Sequence, residues 1–223
     1  MASVDNIQEI ANSVLADAAQ QGQLVETDTE GVSTFDFNGV EIFTSSETNV
    51  ELPEDGVAII LSGSENLNAA GNENDNFVTG NDGDNTVDAG GGDDQVDAGG
   101  GDDTINDGDG NDTVAGGEGN DTFLVGNGDD HFQGNEGDDE FIIQDTEQGN
   151  NQFTSLNRGD KLMISDRNGD GNINAEDLQS VDTSENGLIM NFTDGTSVTI
   201  EGITSLEELN IEIDEDGGFV TFT

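Results

Sequence analysis

Oxygen-bearing side chains recur along the middle of the chain at intervals of nine residues, and an apolar residue follows each of them two positions later. The oxygen side chains belong to Asn76, Asn85, Asp94, Asp103, Asp112, Asp121, Asp130 and Asp139. The apolar residues are Val78, Val87, Val96, Ile105, Val114, Phe123, Phe132 and Phe141. A glycine lies two positions before every oxygen side chain from Asn85 onward.

This pattern suits the binding of a hard cation. Ca²⁺ takes six to eight oxygen ligands, and carboxylates and backbone carbonyls are its preferred set. Glycines adopt positive φ and let carbonyl groups approach closely. The residues around each apolar position are expected to form a short strand whose apolar side chain points inward. If each nine-residue unit is half a coil, each turn stacks on the turn two units later, and a cation fits between them.

The best units, 89–97 and 116–124, resemble the glycine- and aspartate-rich nonapeptide of RTX proteins, a calcium-binding repeat. The resemblance implies a mainly β chain containing a right-handed parallel β-roll, that is, a β-solenoid, with several Ca²⁺ ions between turns on the same side. The expected stacked pairs are Asp94 with Asp112, Asp103 with Asp121, Asp112 with Asp130, and Asp121 with Asp139. Asn85 is included as a ligand, but Asn76 and Asn85 depart from the family's aspartate, so their sites are expected to be weaker or empty.

A second candidate metal site lies at residues 166–177, which match an EF-hand-type calcium loop. Oxygen side chains stand at loop positions 1, 3, 5, 7, 9 and 12, and Gly171 holds the sixth position. Position 12 carries aspartate in place of the usual glutamate, which resembles the dockerin-type variant. The ligands predicted here are Asp166, Asn168, Asp170, Asn172 and Asp177.

The flanking segments predict caps for the roll. Residues 4–20 have helical apolar spacing, and alternating apolar residues surround Asn38-Gly39, so a helix and a hairpin are expected in a small α+β N-terminal cap. A second hairpin is expected around Asp194-Gly195 in a mainly β C-terminal cap. The predicted division is 1–55 for the N-terminal cap or assembly segment, 56–146 for the roll and 147–223 for the C-terminal cap.

The formal charge of −48 excludes several classes of partner. Three Lys and Arg residues cannot form the basic patch that binds nucleic acid, and an anionic membrane surface would repel the chain. So much like charge opposes compaction, which leaves disorder or cation binding as the two outcomes. Cysteine is absent, so neither disulfides nor thiolate sites are available. No apolar run reaches the ~20 residues that would predict membrane insertion.

The ends of the sequence bear on export. The N-terminus has neither a basic nor an apolar region of the kind found in Sec signal peptides. Residues 214–223 are acidic and then apolar, which resembles the uncleaved signal of type I secretion substrates. The expected location is therefore extracellular or at the cell surface, with the type I secretion machinery as a partner.

The expected function is that of a calcium-folded structural protein of the cell surface or matrix. One alternative is a subunit that assembles with itself, or with surface components, into a layer or filament. Another is the export appendage of a hydrolase, but the chain has one histidine and neither a His-Glu-x-x-His nor a Gly-x-Ser-x-Gly motif. The expectation is therefore that the chain is not an enzyme.

Overall fold

A computed structural model describes residues 31–37, 40–143, 148–164, 178–183, 187–203, 209–213 and 218–222. These residues form strands and turns in two sheets, with no helix among them. In particular, they include no helix long and apolar enough to span a membrane. The predicted helix at 4–20 and the predicted calcium loop at 166–177 lie outside the described residues.

Sheet A consists of eleven described strands. They are β1 (Val32–Phe37), β2 (Val40–Ser45), β4 (Ala58–Leu61), β6 (Phe77–Asn81), β8 (Gln95–Gly100), β10 (Thr113–Glu118), β12 (His131–Glu136), β14 (Asn150–Thr154), β16 (Leu178–Thr183), β17 (Gly187–Phe192) and β18 (Ser197–Glu201).

Sheet B consists of nine described strands. They are β3 (Val50–Glu51), β5 (Asn68–Asn72), β7 (Thr86–Gly90), β9 (Thr104–Asn106), β11 (Thr122–Val125), β13 (Glu140–Ile143), β15 (Lys161–Ile164), β19 (Leu209–Ile213) and β20 (Gly218–Phe222).

The predicted parallel β-roll is confirmed. Between β4 and β15 successive strands alternate between the sheets, and each strand pairs in parallel with the strand two places along the chain. The register places Val78 beside Val96, Val96 beside Val114, and Val114 beside Phe132, a step of eighteen residues. Two nine-residue units therefore make one coil, and the solenoid has about seven turns.

The inward side chains of both sheets form one continuous core. Small aliphatic residues fill the central coils, and four phenylalanines fill the later ones. Phe123 stacks on Phe141 with ring centroids 4.4 Å apart, and Phe132 stacks on Phe153 at 5.2 Å. Edge-to-face contacts at 5.1–6.1 Å join the two stacks across the roll. The aromatic end of the core is therefore held by ring packing as well as by apolar burial.

Parallel pairing extends beyond the strict repeats at both ends. It begins with β2 on β4 and β3 on β5, and it continues through β14 to β18. Antiparallel strand pairs then form three of the four described sheet edges, and β3 forms the fourth. The β1–β2 and β17–β18 hairpins agree with the two predicted from the sequence, and β20 pairs antiparallel with β15.

The glycine two residues before each aspartate allows successive turns to approach closely. Gly101 has φ +111°, and a Cβ built on it would lie 2.6 Å from the carbonyl carbon of Gly83 in the preceding coil. Its neighbour Gly100 lies outside the left-handed region, and a Cβ there would meet nothing closer than 3.8 Å. The requirement for glycine therefore changes between adjacent residues of one turn.

We expect Gly101→Ala to destabilise the calcium-loaded roll by about 1–3 kcal/mol, because alanine adds backbone strain and a contact with the coil below. Gly100→Ala is the matched control and should change stability by less than about 0.5 kcal/mol. Chemical denaturation at saturating Ca²⁺ would measure both. Equal effects of the two substitutions would contradict this account of the turn.

Candidate metal centre

The repeating oxygen side chains lie in two rows, one on each side of the roll. The first row contains Asn76, Asp94, Asp112 and Asp130, in the turns that lead from sheet B to sheet A, and Asn151, near the start of β14. The second row occupies the turns that lead from sheet A to sheet B and contains Asn85, Asp103, Asp121, Asp139 and Asp160. All ten residues are buried. Six of them are the aspartates of the strict repeats, a residue type that is seldom buried.

One carboxylate oxygen of each repeat aspartate is used to join successive coils. The backbone N–H of Asp94 donates to Asp112 Oδ1 at 2.7 Å, and that of Asp103 donates to Asp121 Oδ1 at 2.8 Å. The N–H groups of Asp112 and Asp121 donate in the same way to Asp130 Oδ1 at 3.0 Å and Asp139 Oδ1 at 2.9 Å. The four pairs expected from the repeat are thus stacked, each aspartate holding the turn eighteen residues before it.

The other carboxylate oxygen has no hydrogen-bond partner. This holds for Oδ2 of all six repeat aspartates, each at most 2% exposed: Asp94, Asp103, Asp112, Asp121, Asp130 and Asp139. A buried carboxylate oxygen without a donor is costly, and a cation or a proton removes that cost. The residues present therefore fit Ca²⁺, which Oδ2 atoms of stacked aspartates on one side of the roll would hold.

The asparagines at the N-terminal end of the rows need no such partner. The Asn85 side chain accepts from the N–H of Asn81 at 3.0 Å and donates to Asn81 Oδ1 at 2.9 Å. Asn76 makes the same two contacts with Asn72. Asn85 is one of the ligands predicted from the sequence, and its amide groups are engaged within its own turn.

Two members of the rows were missed from the sequence. Asn151 accepts from the N–H of Asp130, and Asp160 accepts from that of Asp139, across a step of twenty-one residues in place of eighteen. Asp160 Oδ2 also accepts from the N–H of Asn157 at 2.6 Å, so both of its oxygens have donors. The spacing of Asp160 to the buried Leu162 repeats the pattern of the strict units, and this signal could have revealed the added coil.

An outer ladder runs beside each row and was also missed. Each of its residues immediately precedes a row residue, and its hydrogen bonds run in the opposite direction along the roll. The backbone N–H of Asp102 donates to Asp84 Oδ1 at 3.0 Å, and that of Asn120 donates to Asp102 Oδ1 at 2.8 Å. These side chains are exposed. Because adjacent residues bond to the coil before and the coil after, each turn is fixed on both sides.

A further carboxylate lies beside Asp112 and Asp130 of the first row. Asp107 was not predicted as a ligand, yet it is 1% exposed and its Oδ2 lacks a hydrogen-bond partner. Carboxylate oxygens of Asp107, Asp112 and Asp130 all lie within 4.8 Å of one another. The sequence signal was an aspartate at the first place of a nine-residue unit, where neighbouring units have alanine or glycine.

The comparisons with known proteins agree with this geometry. The family model described as the RTX calcium-binding nonapeptide repeat, in four copies, matches residues 70–105 and again 106–141. Residues 70–141 are RTX calcium-binding repeats. No curated protein matches the chain. The matched RTX repeats contain all six stacked aspartates of the two rows, whereas Asn151 and Asp160 belong to coils outside the match.

Burial changes the acidity of the RTX aspartates. It raises the pKa of Asp94 and Asp103 to about 8, that of Asp121 and Asp130 to about 7, and that of Asp112 to about 6. The hydrogen bond from the coil before opposes the effect of burial, and neighbouring carboxylates add to it. Without a cation, the folded roll therefore holds these protons more tightly than the unfolded chain does.

We expect the metal-free roll to be stabilised by acid. The folded pKa values exceed the ordinary value of 3.8, so this contribution is complete below about pH 4 and is lost as the pH rises through 6 to 8. Far-UV circular dichroism in EDTA should show more β structure at pH 5 than at pH 8, and Ca²⁺ should restore it at pH 8. A metal-free fold that gains stability between pH 5 and pH 8 would contradict the burial of unpaired carboxylates.

We expect Asp121→Asn to weaken calcium-dependent folding. Asparagine retains the Oδ1 acceptor for Asp103 N–H. It removes a negative charge from the two intervals between stacked aspartates that Asp121 borders, one shared with Asp103 and one with Asp139. The Ca²⁺ concentration at half-folding should therefore rise about tenfold. Glu118→Gln, which removes one exposed charge three residues away, is the control and should leave that concentration nearly unchanged. Calcium titration followed by circular dichroism measures both, and equal shifts would show that only net charge matters.

Proposed function

We propose that this chain is a secreted structural protein whose RTX roll folds when Ca²⁺ binds outside the cell. The observation that carries the proposal is the double row of buried aspartates in which one oxygen links the coils and the other has no partner. Such a roll is poorly stable until cations neutralise its interior. Calcium concentration, which differs greatly across the cell boundary, would then decide where the chain folds.

Approximate magnitudes support this control. Extracellular calcium modules have Kd values of roughly 10⁻⁴ to 10⁻³ M. A site filled at ten times its Kd stabilises the folded state by about 1.4 kcal/mol, and one filled far below its Kd contributes almost nothing. Four intervals between stacked repeat aspartates would together supply about 6 kcal/mol, which is comparable with the total stability of a small domain.

The structural role also follows from the surface. Four Ca²⁺ ions would carry about +8 against a formal charge of −48, so the folded protein would remain strongly acidic. A rigid acidic solenoid suits a component of the cell surface or matrix that repels anionic surfaces and gathers further cations. We propose no catalytic activity for it, and assays with protease, lipase and glycosidase substrates would expose one.

Export by a type I system is part of the proposal. A chain that stays unfolded at low Ca²⁺ could pass through an exporter and fold on the outside. Co-expression with a type I exporter should place the full chain in the medium, and removal of residues 214–223 should retain it in the cell. Equal export of both forms would remove the assigned role of the C-terminal segment without affecting calcium-dependent folding.

The edges of the two sheets favour a monomer over self-assembly. Three of the four described edges are strands of antiparallel hairpins, namely β1, β16 and β19, and the fourth is the two-residue strand β3. A short edge strand such as β3 opposes addition of another chain, and the antiparallel hairpins end the parallel register in which a second roll would stack. We therefore expect a monomer with and without Ca²⁺ in light scattering, and growth that requires Ca²⁺ would favour the assembly alternative.

A calcium titration of EDTA-treated protein tests the central proposal. We expect a cooperative transition from coil to β structure in far-UV circular dichroism at neutral pH. Mg²⁺ is the control, because its small size and reluctance to lose water make it a poor substitute at sites of carboxylates and carbonyls. A β spectrum that is complete in EDTA and unchanged by Ca²⁺ would overturn the proposal.

A further inference from the structure

Asp107 differs from every other residue at its place in the repeat. The first position of the units on its side of the roll holds Gly71, Ala89, Asp107 and Val125 in successive coils. A side chain at this position points toward the row: a Cβ built on the equivalent Gly116 of the other side would lie 2.1 Å from Asp121 Oδ2. Asp107 therefore brings a complete carboxylate to the place where the row already has an unpaired oxygen.

The Asp107 side chain is ordered by the fold. Its Oδ1 accepts from the backbone N–H of Gly126 in the next coil at 2.8 Å. Its Oδ2 has no hydrogen-bond partner, and the residue is 1% exposed. Oδ2 of Asp112 and Oδ2 of Asp130 are also buried and unpaired, and carboxylate oxygens of all three residues lie within 4.8 Å of one another. Among the described residues, no other group of three acidic or metal-binding side chains converges in this way.

We propose that Asp107, Asp112 and Asp130 form a three-carboxylate cation site that differs from the two-carboxylate sites of the other intervals and binds Ca²⁺ more tightly than they do. The inference rests on the proposed function, because it presupposes that cations enter the rows. It adds that the sites are unequal and identifies the strongest one. Calcium affinity rises with the number of charged ligands, so a third carboxylate favours this interval.

Unequal sites have a consequence for the order of binding. The three-carboxylate site would take up the first ion as Ca²⁺ rises and release the last ion as a chelator is added. It lies in the middle of the RTX repeats, between β9 and β12, so the first ion would join coils with neighbours on both sides. A site of three carboxylates also favours a trivalent cation such as Eu³⁺ over Ca²⁺ more strongly than a site of two.

Isothermal titration calorimetry with Ca²⁺ alone tests the site. The wild-type chain should show one ion bound at least about tenfold more tightly than the rest. Asp107→Asn, which keeps the size and the Oδ1 acceptor, should abolish this tight event and leave the weaker binding in place. Asp107→Ala, which copies the alanine found at this position in the preceding units, should do the same. Folding of each variant at saturating Ca²⁺ would be checked by circular dichroism.

Asp109→Asn is the matched control. Asp109 is exposed in the same turn, and its Oδ1 accepts from Asn127 Nδ2 at 2.8 Å, a contact that an asparagine oxygen can keep. This variant removes the same charge and should retain the tight ion. Direct-excitation luminescence of Eu³⁺ gives a second readout, in which the first equivalent should occupy a less hydrated site in the wild type than in Asp107→Asn.

Three outcomes that contradict the inference can be told apart. If the wild type binds no Ca²⁺ at all, the proposed function is wrong and the three-carboxylate site fails with it. If the wild type binds Ca²⁺ and Asp107→Asn gives the same isotherm as Asp109→Asn, the rows bind calcium but the Asp107 site is wrong. A metal-free fold stabilised by Asp107→Asn with an unchanged calcium isotherm would identify Asp107 as a buried protonated acid and would also overturn the inference.

Discussion

The structure depends on burying one unpaired carboxylate oxygen in nearly every turn of the RTX repeats. Seven such oxygens lie among the described residues. Leaving a buried polar group unsatisfied costs about 1–3 kcal/mol, and more when the group is charged, so the total equals or exceeds the ~5–15 kcal/mol by which a typical domain is stable. The apolar core by itself therefore does not determine whether this roll is folded. The decisive term is what neutralises the rows, whether protons or a bound cation.

The same aspartates couple the local sites to the whole fold. Oδ1 of each aspartate accepts a hydrogen bond from the backbone of the preceding coil. Oδ2 of the same aspartate is therefore fixed in position relative to both coils. A cation bound at one interval therefore orders a turn that belongs to the next interval as well. The close approach of turns at Gly101 and its equivalents makes this coupling possible, since a side chain there would hold the coils apart. Cooperative folding is the expected result of such shared ligands.

The sequence predicted the periodic part of this arrangement because period, side-chain type and glycine position all repeat in register. Stacking of Asp94 on Asp112 follows directly from a nine-residue half-coil. The step of twenty-one residues to Asp160 could not be obtained in this way, because added residues break the period while the backbone pairing continues. Asp107 was missed for a different reason: periodicity emphasises what recurs, and its carboxylate occurs once at that position. The segment 166–177 stays a prediction.

The change from asparagine to aspartate along the rows separates coils without an unpaired buried carboxylate from coils that have one. Asn76 and Asn85 satisfy their own turns, and the coils beneath them have an aliphatic core that includes Ile59, Leu61 and Leu67. These coils bury no unpaired carboxylate, so they can form without a cation and offer a surface on which the next coil can stack. At the other end Asp160 has donors for both oxygens, and stacked phenylalanines fill the core. Among the described residues, the coils with unpaired buried carboxylates thus lie between two ends that apolar packing and hydrogen bonds stabilise.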